Sequence, residues 1–214
     1  MTGRARPGPE GTGTARGGVV AARPAASLLL LGGGASGLEV LLVRRTPSAR
    51  FMAGFWVFPG GAVDPGDAAG GDDERAHRAA AVRELAEEAG IEGVEPDDLV
   101  AYSRWITPES AAIRFDTRFY LATAPEGAQP RADGVEMVDA GWFAPQAALD
   151  AYDRDELPLV FPTLKHLEQI AGFRSAAELL DASRGRSVEA VLPQVVGSGK
   201  DARIVLPGEP GYRD

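Results

Sequence analysis

The sequence predicts an α+β fold in which a mixed β-sheet is packed against helices. Three observations support this prediction: apolar strand-like runs come first, a single acidic helical segment and further strand-like runs follow, and the chain ends mainly in helical patterns. The regular alternation of strands and helices that a parallel βαβ winding requires does not occur along the sequence. The order of the elements therefore favours a layered sandwich.

The first strands surround a glycine-rich region. Two apolar runs, "AASLLLL" and "LEVLLVRR", are separated by "GGGASG" and predict a hairpin. The next run, "FWVFPGGAVD", predicts a short strand that enters the polar loop "PGDAAGGDDE". Asp72 or Asp73 can cap the helix that follows, which we expect from about Arg75 to Ala89 with its end at Gly90.

The second half of the chain supplies the rest of the sheet and a helical end. Three strand candidates lie in "DDLVAYSRWITP", "IRFDTRFYLATA" and "VEMVDAGWFAP", and three helices are predicted in "PQAALDAYDRD", "FPTLKHLEQIAG" and "SAAELLDASRG". "VEAVLPQVV" and "ARIVLPG" predict late strands. His77 and His166 have no partner at metal-ligand spacing, so we expect both on the surface.

Composition limits the classes of function. The chain of 214 residues has no cysteine, a net charge of -9 and no apolar run long enough to span a bilayer. Residues 1–24 are rich in Gly, Arg and Pro, which predicts a disordered tail without the features of a signal peptide. The acidic remainder argues against nucleic acid as a partner, and a cytoplasmic location is the default expectation.

The segment "RELAEEAG" concentrates charge on the predicted helix. With 100° per residue, Glu84, Glu87 and Glu88 share one sector, and Leu85 and Ala89 lie on the other side. Such a run is more often a solvated helix face than a site. Neighbouring carboxylates repel each other unless cations neutralise them, so a metal site is the competing interpretation.

The context of this helix favours the metal site. Arg83, Glu84, Leu85, Glu87, Glu88, Gly90 and Ile91 match the pattern R-E-φ-x-E-E-x-G-φ (φ apolar), after a loop that contains Gly60 and Gly61. This pattern resembles the signature of the Nudix hydrolases over roughly residues 25–152. The resemblance implies a Nudix-type α/β/α sandwich with a mixed sheet and a loop-helix-loop metal site, and leaves residues 153–214 as a C-terminal helical extension with late strands packed on the same domain.

The resemblance also implies residue roles and a metal cofactor. Nudix hydrolases cleave a nucleoside diphosphate linked to another moiety and use Mg²⁺ or Mn²⁺, hard cations that prefer oxygen ligands. It implies metal ligation by Glu84, Glu87, Glu88 and the carbonyl of Gly60. Glu84 can alternatively orient or deprotonate water, with Arg83 fixing its position.

The front half of the signature departs from the family pattern. Asp67 stands where the family has Glu, and the loop between it and Arg83 carries an apparent eight-residue insertion. Glu74 lies one residue from the expected spacing to Arg83. The sequence therefore leaves open whether Asp67 or Glu74 fills this acidic position.

A second pattern bears on the substrate. "LLVRRTPSARFMAGFWVFPGG" resembles the coenzyme A diphosphatase branch of the family, with Val43 and Thr46 as departures. It implies coenzyme A or acyl-CoA as the substrate, with phosphate contacts from Arg45 and Arg50 beside Gly61. Glu136 is a further candidate carboxylate of the cleft.

Other interpretations remain open at this stage. Pro108 lies close to the position at which ADP-ribose pyrophosphatases carry a proline, so ADP-ribose or another nucleotide sugar is the alternative substrate. A non-catalytic Nudix-like module that senses a nucleotide is the alternative of another class, although such modules typically lose acidic residues that this helix keeps. A homodimer is common in the superfamily, and we expect no membrane partner.

Overall fold

A mixed β-sheet forms the centre of the fold. The computed structural model describes residues 19–33, 37–68, 72–198 and 201–213, and over these residues the sheet has eight strands. Their bounds are β1 Arg23–Gly32, β2 Glu39–Arg45, β3 Trp56–Val57, β4 Gly60–Ala62, β5 Val100–Ile106, β6 Phe115–Thr123, β7 Met137–Phe143 and β8 Ala190–Val191.

Strand β1 organises the sheet because it has neighbours on both edges. Along one edge it pairs in parallel with β6, from Arg23 opposite Phe115 to Leu31 opposite Thr123. Along the other edge its first half pairs with β4 and its end pairs with β2, both antiparallel. The predicted hairpin of β1 and β2 is therefore confirmed, but its ladder is short, and the longer partner of β2 is β7.

Helices cover both faces of this sheet. They are α1 Asp73–Ala89, α2 Pro145–Asp153, α3 Phe161–Ile170 and α4 Ala176–Ser183, with a short 3₁₀ turn at Pro96–Asp98. Leu28 and Leu30 of β1 pack in the α1 layer, whereas Leu29 and Leu31 pack with α3 and α4. Because alternate residues of a strand point to opposite faces, a strand buried on both sides is apolar throughout. The predicted α+β sandwich is confirmed.

Helix α1 has the two caps that the sequence predicts. The Asp72 side chain accepts a hydrogen bond from the Arg75 N–H at 2.9 Å, and Gly90 ends the helix in the left-handed conformation with φ of 63°. Glycine suits that end because a side chain there is strained. The helix begins at Asp73, two residues before the predicted Arg75.

The C-terminal part of the chain returns to the sheet. Strand β8 adds in parallel to β5, and β9 Gln194–Val196 and β10 Arg203–Val205 form an antiparallel hairpin of their own. Ile204 of β10 lies in the same core cluster as α3. Among the described residues, no helix is long and apolar enough to cross a bilayer.

Three expectations need correction or a limit. Of the predicted disordered tail, residues 1–24, the part from 1 to 18 lies outside the described residues. Its last two residues are strand, because Arg23 and Pro24 pair with β6. His77 and His166 are buried rather than exposed. His77 lies on the inner side of α1, and His166 lies under the rings of Tyr102 and Phe119.

Candidate active site

The two glycines of β4 allow the α1 carboxylates to approach the backbone. The Gly60 N–H donates to Glu88 Oε2 at 2.9 Å. A Cβ atom on Gly61 would overlap the Glu84 carboxylate, and one on Gly60 would overlap the carbonyl oxygen of Ala26. Gly61 therefore allows the close approach of Glu84 on the helix, and Gly60 allows the close approach of β1.

Glu88 is the most buried carboxylate of the site. Only 4% of the residue is exposed, whereas the sequence analysis placed it on the outer side of the helix. Burial raises the pKa of Glu88 to about 8; the Gly60 hydrogen bond and the charge of Arg45 oppose this rise, and the charges of Glu84 and Glu136 add to it. The glycine loop lies over the helix here, and a helical-wheel projection takes no account of such a loop.

Arg83 holds three acidic side chains at once. Its Nη1 donates to Glu84 Oε1 and to Glu87 Oε2, both at 2.9 Å. Its Nε and Nη2 bind the two oxygens of Asp67 at 3.1 and 3.0 Å, and Nη2 also reaches the Ala62 carbonyl at 3.1 Å. A planar guanidinium in a bidentate pair fixes both partners in direction as well as in distance.

This arrangement bears on the acidic position that the sequence left open. Asp67 contacts Arg83, whereas Glu74 pairs with Arg78 at 2.8 Å and with Arg118 at 2.8 Å, on the neighbouring strand β6. Asp73 also pairs with Arg118. Of the two candidates, the structure brings Asp67 to the site and directs Glu74 away from it.

Glu84 lies between its arginine and other carboxylates. Its pKa is raised, first by burial and then by the charges of Glu87 and Glu136, while the bond and charge of Arg83 act in the opposite direction. Burial is thus the main reason why the pKa values of both Glu84 and Glu88 are raised, and neighbouring carboxylates add to it.

Glu136 faces this cluster from the start of β7. Its charge acts on both Glu84 and Glu88, and its carbonyl accepts a hydrogen bond from the Thr46 N–H at 2.8 Å. Asp133, which the sequence analysis did not single out, accepts from the N–H groups of Glu136 and Met137 at 2.9 and 2.7 Å. An Asp shortly before a strand in "DGVEM" is the sequence signal of such a turn.

The two arginines proposed for phosphate contacts are Arg45, the last residue of β2, and Arg50, in the loop that follows. Arg45 donates from Nε to the Phe51 carbonyl at 3.0 Å, and its charge lowers the pKa of Glu88. Arg50 is exposed on the same loop. Arg45 therefore lies near the acidic cluster, whereas Arg50 lies on an exposed part of the loop, next to Phe51.

The donor set suits a hard divalent cation. Within the described part of the chain, no three acidic or histidine side chains converge at metal-ligand distances, since Arg83 and the Gly60 N–H already bind the glutamates. The site nevertheless offers only oxygen donors, and a cation would favour the charged form of Glu88, which burial first and then the charges of Glu84 and Glu136 disfavour. We conclude that Glu84, Glu87 and Glu88 fit Mg²⁺ or Mn²⁺ chemically.

The fold, the glycine loop and the acidic helix together are typical of a class of hydrolases that act on nucleotides. The NUDIX domain model matches residues 21–164, and the chain belongs to the NUDIX family. The resemblance found in the sequence is thereby confirmed.

Individual relatives agree with this assignment. A NUDIX hydrolase from Alicyclobacillus acidocaldarius, known from its crystal structure, is 29% identical in sequence. The two structures match with a TM-score of 0.67, over 75% of this chain and 96% of that one. A Caenorhabditis elegans protein named "Putative nudix hydrolase 7" is 29% identical over 62% of this chain and 56% of its own length. The human acyl-coenzyme A diphosphatase NUDT19 is 28% identical over 52% of this chain and 31% of its own length. The match thus spans less than two thirds of either curated relative.

Proposed function

We propose that this protein is a divalent-metal-dependent diphosphatase that hydrolyses coenzyme A or acyl-CoA. The observation that carries the proposal is the joint position of Arg83, Glu84 and buried Glu88 against the glycines of β4. The human acyl-coenzyme A diphosphatase among its relatives supports the choice of substrate. The products would be a 3',5'-bisphosphate nucleotide and a phosphopantetheine fragment.

Each residue of the site has a proposed task. Glu84, Glu87 and Glu88, with the Gly60 carbonyl, hold Mg²⁺ or Mn²⁺. When bound, the cation offsets the charge of the diphosphate and makes water more acidic. Arg83 holds Glu84 and Glu87 in direction. As an alternative to metal ligation, Glu84 would orient the attacking water or accept its proton.

Substrate binding would involve the opposite side of the cleft. Arg45 and Arg50 carry the positive charge that phosphates require, and we assign Gly61, next to the Glu84 carboxylate, to the same substrate-binding set. Glu136 adds a carboxylate to the cluster. The predicted homodimer, the cytoplasmic location, and the division into residues 25–152 and 153–214 stay predictions.

The test is a substrate panel with the full chain. Coenzyme A, acetyl-CoA, ADP-ribose, NADH and deoxynucleoside triphosphates are incubated with Mg²⁺, and the products are separated by chromatography. We expect cleavage of the CoA compounds, and a loss of about 100-fold or more in Glu88→Gln, because a ligand matters at least as much as the groups that orient it. Gln keeps the shape of Glu, so folding should be retained.

The outcomes separate the proposal from its rivals. Cleavage of ADP-ribose alone would replace the substrate. A nucleotide that binds tightly and is recovered intact with metal present would indicate a sensing module. Full activity in Glu88→Gln would show that the metal ligands lie elsewhere.

A further inference from the structure

An apolar cavity lies on the face of the sheet that α3 covers, whereas α1 with its carboxylates packs on the other face. Its volume is about 110 Å³. Strands of the sheet, helix α3, the loop after β2 and the C-terminal hairpin all contribute walls. The principal lining residues are Phe51, Trp105, Phe119, Phe161, Val195 and Ile204.

The segment from Arg45 at the end of β2 to Phe51 in the following loop connects this cavity to the acidic cluster. The Arg45 side chain binds the Phe51 carbonyl at 3.0 Å, and the charge of the same side chain acts on Glu88. Phe51 itself lines the cavity and contacts the Phe115 ring at 5.9 Å between centroids. Phosphate-binding charge and apolar wall therefore belong to one short segment of chain.

The chemistry of the walls defines the ligand. The lining is mostly apolar, with Thr107, Ser110 and Thr117 as the hydroxyl-bearing exceptions. Trp105 and Phe161 meet edge to face at 6.1 Å, which gives a firm aromatic wall. A cavity of this character holds hydrocarbon better than water, and one of about 150 Å³ takes a benzene molecule. The space here suits a chain of roughly four carbon atoms by the same comparison.

Part of the cavity is built by residues beyond the shared domain. The family model ends at residue 164, whereas Pro193, Val195 and Ile204 come from the end of β8 and the hairpin of β9 and β10. These walls are therefore additions to the common domain, and their apolar character is a property of this chain.

We propose that this cavity binds the acyl chain of a short-chain acyl-CoA, and that the C-terminal hairpin sets the preferred chain length. The inference rests on the proposed function, because it assumes that the diphosphate end of the same substrate lies at the acidic cluster. It deepens that function by selecting acyl-CoA over free coenzyme A.

The first experiment compares chain lengths with the full chain and Mg²⁺. The value of kcat/KM is measured for coenzyme A and for acetyl-, butyryl-, hexanoyl- and decanoyl-CoA. We expect it to rise about fourfold for each methylene added between acetyl and butyryl. It should then level off, since the cavity is filled. Equal values for all five compounds would overturn the inference while leaving the diphosphatase proposal intact.

Two neighbouring valines provide a matched pair of variants. Val195 lines the cavity, whereas Val196 lies next to Gly211 on the other side of β9. Val195→Phe should fill the space and remove the gain of butyryl-CoA over acetyl-CoA. Val196→Phe should keep that gain. If circular dichroism shows that Val195→Phe does not fold, Ala111→Leu, at another residue of the lining, narrows the cavity instead.

A binding measurement separates the cavity from the chemistry. Butyryl-pantetheine carries the acyl chain but no diphosphate, and calorimetry measures its affinity directly. The inference is supported if the wild type binds butyryl-pantetheine and Val195→Phe or Ala111→Leu weakens that binding at least about tenfold. If that result is obtained but no CoA compound is cleaved, only the proposed function is refuted. Absence of binding, or equal binding by wild type and filled variants, overturns the inference.

Discussion

Arg83 is the residue that gives the acidic cluster its order. It binds Asp67 with two nitrogens while its third nitrogen reaches Glu84 and Glu87. Without such a partner, adjacent carboxylates would repel each other into solvent. Asp67 in turn fixes the guanidinium, so it controls the direction of Glu84 and Glu87, the two proposed metal ligands that Arg83 binds.

Asp67→Asn tests this chain of contacts. The variant loses the charge that fixes Arg83, so we expect kcat to fall about 10- to 100-fold with little change in KM, which is typical of a lost orienting partner. Steady-state kinetics with the CoA substrate measures both constants. Glu74→Gln is the matched control: it contacts Arg78 and Arg118 instead, and should keep kcat. The reverse result would assign the acidic position to Glu74.

Sequence reasoning at this scale identifies residue types better than their surroundings. The motif predicts Arg83 and the three glutamates on one helix, and the structure joins Arg83 to Glu84 and Glu87 while Glu88 binds the Gly60 N–H. It does not predict the burial of Glu88, which depends on a loop laid over the helix, nor the choice of Asp67 over Glu74, which depends on the path of an enlarged loop. Both are tertiary effects that helical spacing does not encode.

At the scale of elements, the glycine loop and helix α1 act as one unit. Their contact is so close that Gly61 has no room for a side chain beside Glu84. Gly66 lies further along the same loop, and a Cβ atom there would meet nothing within 4 Å. The two glycines therefore differ in what they do for the site, although they look alike in the sequence.

Gly61→Ala should displace the Glu84 carboxylate and lower kcat/KM about 100-fold, since a shift of about 1 Å in a catalytic group has effects of that order. Gly66→Ala should leave kcat/KM unchanged. Kinetic assays of both variants, with thermal unfolding to check their folds, make the comparison. Equal activities in the two variants would contradict the close contact described for Gly61.

Helix α3 carries a group that should respond to acid. His166 is fully buried, its Nε2 lies 2.7 Å from Ser103 Oγ, and its Nδ1 has no hydrogen-bond partner among the described residues. Burial lowers the pKa of His166 to about 3. The unfolded chain therefore binds a proton below its ordinary pKa of 6.5 while the folded chain does not, so stability is lost as the pH falls from 6.5 towards 3.

His166→Gln measures this contribution. Gln can keep a bond to Ser103 but does not titrate. As the pH falls from 6.5 to 5, the free energy of unfolding of the wild type should decrease by up to about 2 kcal/mol more than that of the variant. The reason is that unfolded wild type binds one more proton than folded wild type in this pH range. Urea unfolding at the two pH values gives the difference. Parallel losses in both proteins would show that His166 titrates normally.

The sequence predicts the helices and strands well, but it does not predict which strands pair with each other. Periodicity and caps identify α1 and its end at Gly90, whereas its start at Asp73, with Asp72 as the cap, lies two residues before the predicted Arg75. The parallel pairing of β1 with β6 and the position of β7 beside β2 have no local signal, because they are set by packing between distant segments.

At the scale of the whole molecule, a net charge of -9 and an under-neutralised cluster imply that cations stabilise the fold. The pKa of Glu88, about 8 in the folded chain, exceeds its ordinary value of 4.5. The metal-free folded state thus retains a proton that the unfolded state has released. Its stability should fall as the pH rises from 4.5 to 8.

Mg²⁺ should oppose that loss. At a concentration about 100 times its Kd, a ligand of the folded state adds about 2.7 kcal/mol of stability. Because protons compete for Glu88, we expect a larger rise in Tm on adding Mg²⁺ at pH 8 than at pH 6. Differential scanning calorimetry of wild type and Glu88→Gln gives the comparison. Identical Mg²⁺ effects in both proteins would place the cation elsewhere.

The central position of β1 has a consequence for the order in which this chain can form its structure. Helix α1 and the glycine loop emerge during synthesis well before residue 123, the last residue of β6. Until β6 is complete, a highly apolar strand presents an unpaired edge, which is the kind of surface that other chains join. Nascent-chain folding should therefore advance abruptly once β6 leaves the ribosome, and slow translation before that point should favour aggregation.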